Sequence, residues 1–128
     1  MNNLELESQN LEKNYRQLKG YSKVKNKPQV NQEMKAESIR IMEIVCDYYG
    51  VKFGVLMSPY RGELVTQCRQ MAMYIVSERT NLKPEEIAQI FLRDRTTFLY
   101  SYAKIDGLVR HKYIDDIKND LFNLSVLI

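Results

Sequence analysis

The chain has 128 residues, of which 45% are hydrophobic, and a formal net charge of +3. This length fits one domain of about 90 residues plus a tail, because single domains typically run to about 100–150 residues. The longest apolar run, residues 71–76, is far below the roughly 20 residues that span a bilayer. The first residues also lack the basic start and apolar stretch of a secretory signal. We expect a soluble, cytoplasmic protein without a membrane segment.

Cysteine and histidine are too few and too far apart for a metal cluster. Cys46 and Cys68 each fall at an apolar-face position of a predicted helix, and His111 is the only histidine. We interpret the cysteines as two buried thiols in a reducing compartment. The sequence offers no nucleophile with a base and no Gly-x-x-x-x-Gly-Lys-Ser/Thr loop. It therefore predicts neither an enzyme nor a metal or other cofactor.

Charge divides the chain into two regions. Residues 1–36 hold seven basic and four acidic residues, whereas residues 37–128 hold twelve of each. Because the second region is formally neutral, affinity for nucleic acid there requires clustering of positive charge on one face. We expect an N-terminal helix and flexible basic linker over residues 1–36, and a folded module over residues 37–128.

The N-terminal region leaves two questions open. Leu4, Leu11 and Leu18 recur every seven residues, but so short a repeat is weak support for a coiled coil, and a frayed or docked helix is favoured. Lys23, Lys25 and Lys27 lie within the linker, just before residue 28. They either contact phosphates as an arm or only keep the linker soluble.

Residues 37–128 show apolar residues at helical spacing and no alternating strand pattern. Gly50 follows the first helix, in the position favoured for a left-handed cap. A long helix is predicted to end around Thr80. The residues expected to face the core in these two helices and in a final helix are Ile41, Ile44, Val45, Tyr48; Leu64, Cys68, Met71, Ala72, Ile75; Ile114, Ile117, Leu121 and Leu124. The fold class is all-α, a helical bundle.

Between these segments lies the pattern of a helix-turn-helix. Pro84 suits the first position of a short helix, and a tight turn leads to a second helix that Asp94 can cap. In the second helix, Phe98, Tyr102 and Ile105 are predicted to face inward. The side chains expected on the outer side are Arg95, Thr96, Leu99, Tyr100 and Ala103. Such an arrangement is typical of a DNA reader.

Two motifs in this order resemble the C-terminal DNA-binding domain (domain IV) of the bacterial chromosomal replication initiator DnaA. Residues 69–74 read Arg-Gln-Met-Ala-Met-Tyr, as in the long helix of that family. Residues 86–88 read Glu-Ile-Ala and residues 91–98 read Phe-Leu-Arg-Asp-Arg-Thr-Thr-Phe, similar to the helix-turn-helix signature. Lys104 and Ile105 match the family's downstream Lys-Ile pair. The similarity covers roughly residues 38–125.

The resemblance implies a role for each matching residue. The base contacts in the major groove would be Asp94, Arg95 and Thr96, and the minor-groove contact Arg61. The phosphate contacts would be Arg69, Gln70, Arg93, Thr97 and Lys104. The chain departs from the signature in carrying Arg95 for histidine, and Leu92 for a pair of glycines. We expect this shorter turn to lack glycine's freedom at positive φ and to alter the angle between the two helices.

The resulting hypothesis is sequence-specific binding of double-stranded DNA in replication initiation or its regulation, at an origin or initiator-box-like site. The family's ATPase module has no counterpart in the sequence. The expected partners are double-stranded DNA and replication proteins, the expected state is a monomer or weak dimer, and the expected location is the nucleoid. Two alternatives stay open: a protein-interaction module that binds a host replication protein, and a transcriptional regulator that uses the same helix-turn-helix.

Overall fold

In a computed structural model of the chain, the residues described are 10, 11, 13, 30–111 and 115–128, and every regular element among them is helical. The helices are α1 (Gln32–Tyr49), α2 (Phe53–Leu56), α3 (Glu63–Arg79), α4 (Pro84–Ile90), α5 (Arg95–Arg110) and α6 (Asp115–Leu127). The prediction of an all-α bundle with a helix-turn-helix is confirmed. The predictions made for Leu4, Leu18, Lys23, Lys25, Lys27 and Ile114 concern residues outside this described part.

Helix α3 lies at the centre of the bundle. It packs against α1 on one side and α5 on the other, while α4 contacts α5 and α6 contacts both α1 and α5. Each helix turns one apolar face inward, as amphipathic helices of a small domain do. The largest fully buried side chains are Ile41, Met42, Leu56, Met71, Met73, Ile87, Phe91, Phe98, Leu99, Ile105 and Leu124. The predicted burial of Cys46 and Cys68 is also confirmed.

The helix ends follow local side-chain chemistry. Asn31 accepts hydrogen bonds from the backbone N–H groups of Glu33 and Met34, at 2.8 and 3.4 Å. This cap lets α1 begin at Gln32, ahead of Glu37, where the sequence predicted the folded module to start. Gly50 ends α1 with a φ of 69°, so the predicted left-handed cap is confirmed.

Two side chains lie on the opposite side from that predicted. Leu64 is exposed, and its neighbour Val65 is buried in its place, because Val65 continues the buried face that runs through Cys68 and Ala72. Leu99 is buried, although it was predicted to face outward. Helix α5 contacts both α3 and α4, so its buried face is wider than the stripe of a helix with one neighbour.

The last helix is fastened to the first through a shared carboxylate. The hydroxyls of Tyr48 and Tyr49 donate to the two oxygens of Asp120, at 2.8 and 2.7 Å. The side-chain amide of Asn123 donates to the Tyr48 hydroxyl at 3.1 Å. Together with the buried Leu124, these bonds fix which face of α6 meets the bundle.

The turn of the helix-turn-helix closes on a leucine in a left-handed conformation. Leu92 has a φ of 55° and follows Phe91, the C-cap residue of α4. Its N–H donates to the Gln89 carbonyl at 3.1 Å, and the Arg93 N–H donates to the Ala88 carbonyl at 2.9 Å. A left-handed backbone is unfavourable for an L-residue with a Cβ atom by about 1–2 kcal/mol. The short turn therefore forms as a tight helix cap despite the missing glycine.

We expect Leu92→Gly to raise the free energy of unfolding by about 0.5–1 kcal/mol, because glycine adopts positive φ without this penalty but is more flexible when unfolded. The Leu92 side chain is 70% exposed, so its loss removes little packing. Urea unfolding followed by circular dichroism measures the change. Leu92→Ala is the matched control, since it removes the side chain and keeps the backbone penalty. Equal stability of the two variants would contradict the assignment of strain.

Candidate nucleic-acid interface

The second helix of the helix-turn-helix opens on a carboxylate cap. Asp94 Oδ1 accepts from the backbone N–H and from the hydroxyl of Thr97, each at 2.8 Å. These two hydrogen bonds stabilise the charged form and lower the pKa of Asp94. The predicted N-cap is confirmed. Since both bonds use Oδ1, Oδ2 is the oxygen through which Asp94 can accept from a base.

One face of α5 combines exposure with polar side chains. Thr97, Tyr100 and Lys104 are spaced three and four residues apart and therefore share this face, which Thr96 borders one position earlier. Tyr100 and Lys104 are exposed, and the two threonines are half-buried. The residues predicted to face inward, Phe98, Tyr102 and Ile105, are buried on the opposite side.

Arg95 lies on the flank of α5 that faces α4. Its Nη1 is 3.4 Å from Glu85 Oε1, and both side chains are partly exposed. Arg95 is thus separate from the face formed by Thr97, Tyr100 and Lys104. Exposed ion pairs of this kind contribute about 0–1 kcal/mol, so the arginine can exchange this partner for another acceptor.

Arg69, expected on the DNA backbone, has a structural task that the sequence did not indicate. Only 7% exposed, it donates to the carbonyls of Leu56, Ser58 and Tyr60, at 2.9, 3.1 and 3.1 Å. Nε and Nη2 make these bonds, so the guanidinium fixes the loop between α2 and α3. That loop carries Arg61, the residue predicted for the minor groove. Contact of Arg69 with a phosphate stays a prediction for the remaining nitrogen, Nη1.

Arg93 reaches the same loop from the turn of the helix-turn-helix. Its Nη2 donates to the Ser58 carbonyl, which also accepts from Arg69, and its Nη1 donates to the Leu92 carbonyl at 3.4 Å. Burial lowers the pKa of Arg69, and the positive charges of Arg93 and Arg61 lower it further. The guanidinium groups of Arg93 and Arg61 therefore each lie close enough to Arg69 to repel it.

These arginines border an open depression of about 660 Å³ between the α2–α3 loop, α3 and α5. Its lining residues are Pro59, Arg61, Thr66, Arg69, Gln70, Arg93, Thr97, Tyr100 and Ser101. None of these described lining residues is acidic, and the lining includes hydroxyl, amide and guanidinium groups. Such a surface attracts anions and can donate hydrogen bonds to phosphate oxygens.

Some of the predicted site residues line the depression, and others lie outside it. It brings together Arg61, Arg69, Gln70, Arg93 and Thr97, whereas the predicted residues Asp94, Arg95, Thr96 and Lys104 lie outside its lining. Thr66 was missed by the sequence reasoning. Its position four residues before Gln70, on the same face of α3, is the signal that could have found it.

The described residues contain neither a metal cluster nor a membrane-spanning helix. No group of three or more His, Cys, Asp or Glu side chains there is arranged to hold a metal ion. Among the same residues, no helix combines the length and apolarity that a membrane crossing needs.

A short helix, a tight turn and a capped helix with an exposed polar face define a helix-turn-helix protein, the class to which DNA-binding domains of this geometry belong. Comparison with known families gives the same result. The family described as the bacterial dnaA protein helix-turn-helix matches residues 39–105, which is 67 of the 128 residues. The chain belongs to this family, and the resemblance identified in the sequence is confirmed.

The Asp94 cap makes a testable contribution to the pH dependence of stability. A carboxyl whose pKa is lowered by folding stabilises the protein above its unfolded pKa, about 3.9, and loses that contribution as the pH falls through the folded pKa. We expect wild type to be more stable than Asp94→Asn at pH 7, and the difference to vanish in acid. Urea unfolding across this pH range measures it. A difference that is independent of pH would contradict the charged cap.

Loss of the Arg69 guanidinium should unfold the loop that it holds. We expect Arg69→Met to lower the free energy of unfolding by about 2–4 kcal/mol, because three carbonyls lose their donor while the apolar stem is largely kept. Arg61→Met is the matched control, since Arg61 is exposed and should change stability by less than about 0.5 kcal/mol. Equal effects in a denaturant titration would refute the structural role of Arg69.

Proposed function

We propose that the chain binds double-stranded DNA sequence-specifically, in replication initiation or its regulation, at an origin or initiator-box-like site. One observation supports this above all. The depression, whose described lining has three arginines and no acidic residue, lies beside the exposed face of the capped helix α5. The nucleoid is the location that this function requires, and replication proteins are the partners that it implies. Family membership supports DNA binding, and the finer role is our inference.

The geometry suggests how a duplex is held. With α5 in the major groove, its first turn carries Asp94, Arg95 and Thr96 towards the base edges. The depression then lies over a strand, where Gln70 and Arg93 can donate to phosphates, and Thr97 can do so when its hydroxyl exchanges Asp94 for a phosphate oxygen. These phosphate contacts set the register of the protein on the duplex without reading its sequence.

The loop beyond the depression provides a second point of contact. Arg61 is exposed, and the α2–α3 loop that carries it is fixed by Arg69 at both Ser58 and Tyr60. An arginine on a rigid loop enters a narrow minor groove with little loss of entropy and gains from the negative potential there. We assign Arg61 this role, which would add a preference for A·T-rich DNA beside the major-groove site.

Sequence reading depends in this proposal on exchange of one ion pair. Arg95 is paired with Glu85 in the free protein at 3.4 Å. A guanine offers O6 and N7 as a bidentate acceptor for the same guanidinium. Because the exposed pair contributes little, the exchange can favour the base. The arginine, which replaces a histidine of the family signature, would then shift preference towards guanine at one position.

Selection of bound duplexes from a randomised pool tests specificity, and binding at several salt concentrations tests the backbone contacts. We expect an enriched site, and a slope of log K against log salt of about −5 for five or six phosphate contacts. Arg95→Ala should reduce discrimination at one position by about 1–3 kcal/mol. Arg93→Gln should weaken all sequences alike and reduce the slope by about 1.

Lys52→Ala is the matched control for these variants. Lys52 is exposed and does not line the depression, so its loss removes the same positive charge elsewhere on the protein. It should leave both site preference and salt slope nearly unchanged. Absence of any duplex binding at low salt would overturn the proposed function, and an unchanged preference in Arg95→Ala would overturn the role of Arg95.

A further inference from the structure

The α2–α3 loop carries an exposed aromatic ring next to the arginine assigned to the minor groove. Tyr60 directly precedes Arg61, and its side chain is 59% exposed. Tyr60 does not line the arginine depression, so it extends the surface of the loop beyond that depression. Single exposed aromatic residues are common on proteins. What distinguishes Tyr60 is how firmly the structure holds it.

The backbone of Tyr60 is fixed on both sides of its side chain. Its N–H donates to Ser58 Oγ at 3.2 Å, and its carbonyl accepts from Arg69 Nη2 at 3.1 Å. The Ser58 hydroxyl in turn donates to the carbonyl of Val55, in α2, at 2.7 Å. Because a tyrosine side chain has only two flexible torsions, its ring loses little entropy when it forms a contact from a fixed backbone.

The ring itself lies against Gly62, the residue before α3. A Cβ atom at this position would lie 2.7 Å from Cζ of the Tyr60 ring and 2.6 Å from its hydroxyl oxygen. Non-bonded carbon atoms approach only to about 3.5–4.0 Å. Gly62 has a φ of −58° and a ψ of 151°, a conformation open to residues with a Cβ atom. The glycine is therefore needed for the position of the ring, and its own backbone does not require it.

The charges beside the ring limit what it can contact. Arg61 follows Tyr60 directly and attracts DNA, whereas the exposed Glu63 lies in the first turn of α3. A carboxylate there disfavours a phosphate close by, because both groups are negative. The deoxyribose rings of a duplex border its minor groove, carry no charge and present carbon atoms to a neighbouring aromatic ring. A ring between a cation and a carboxylate thus fits a sugar better than a phosphate.

On the basis of the DNA binding proposed above, we propose that the Tyr60 ring packs on a deoxyribose beside the minor groove that Arg61 enters. The contact buries apolar surface and neutralises no phosphate, so it strengthens binding to every sequence alike. Gly62 is a positioning residue, because it leaves space for the ring at the start of α3. The loop then contacts DNA through two consecutive side chains, one aromatic and one charged.

Binding of the full chain to a fixed duplex at several salt concentrations tests the contact. We expect Tyr60→Ala to weaken binding about tenfold, whereas Tyr60→Phe keeps the ring and should bind within about twofold of wild type. The slope of log K against log salt should be the same in all three proteins, because no phosphate contact is lost. Phe122→Ala is the matched control, since it removes an exposed ring from α6 and should bind like wild type.

Gly62→Ala tests the position of the ring without removing it. The exposed ring can move away from the added Cβ atom, so thermal unfolding followed by circular dichroism should give a Tm close to that of wild type. Duplex binding should weaken several-fold. In a Tyr60→Ala background the same substitution should have no further effect, because no ring remains to be displaced. Gly54→Ala is the control, since a Cβ atom there meets nothing within 4 Å.

The outcomes separate this contact from the proposed function. Duplex binding by wild type with unchanged affinity in Tyr60→Ala would overturn the contact alone, whereas absence of duplex binding by wild type would overturn both. Equal losses in Tyr60→Phe and Tyr60→Ala would place the contact at the hydroxyl, and a smaller salt slope in Tyr60→Ala would show an effect through Arg61. Either result refutes packing on a sugar. An undiminished effect of Gly62→Ala in the Tyr60→Ala background would refute the positioning role of Gly62.

Discussion

The candidate interface depends on one buried cation. Arg69 is taken out of water and donates to three backbone carbonyls, one at the end of α2 and two in the α2–α3 loop. Burial of a guanidinium is unfavourable unless its hydrogen bonds are satisfied, and bonds from a charged donor are stronger than neutral ones. These hydrogen bonds therefore hold the loop in the conformation that brings its carbonyls to the arginine. The position of Arg61 and the shape of the depression follow from this arrangement.

The same arrangement places two further positive charges near the buried guanidinium of Arg69. Arg93 donates to a carbonyl that Arg69 already uses, and Arg61 lies near enough to lower the pKa of Arg69 further. No described residue in the lining of the depression supplies a compensating carboxylate. An anion placed near these guanidinium groups would offset this repulsion. Residues 37–128 hold equal numbers of acidic and basic residues, so their net charge does not reveal this local excess of positive charge.

The features that the sequence predicted correctly are those that depend on neighbouring residues in the chain, such as helix caps and helix starts. The caps at Gly50 and Asp94, the start of α4 at Pro84 and the inward face of α5 at Phe98 are all as expected. The exceptions depend on which helices become neighbours. Leu99 is buried because α5 contacts both α3 and α4, which no periodicity within α5 reveals.

Arg69 is the clearest limit of sequence reasoning. It stands next to Cys68 in an amphipathic helix, where an arginine side chain is expected to be exposed. Its acceptors lie 9 to 13 residues earlier, at the end of α2 and in the following loop, and the side chains there do not indicate that their carbonyls accept from an arginine. Only the path of the loop shows that an arginine is needed there. The resemblance to the family located the residue but not the reason for it.

The turn of the helix-turn-helix joins two surfaces of the molecule. Leu92 lines a groove between α1, α2 and the turn, and Arg93 lines the arginine depression, so consecutive residues belong to different surfaces. They are also linked through space, because Arg93 Nη1 donates to the Leu92 carbonyl. A glycine pair at this place would leave that peptide free to move, whereas a leucine held in the left-handed region restricts it. Any partner that fixes Leu92 consequently fixes the backbone from which Arg93 reaches Ser58.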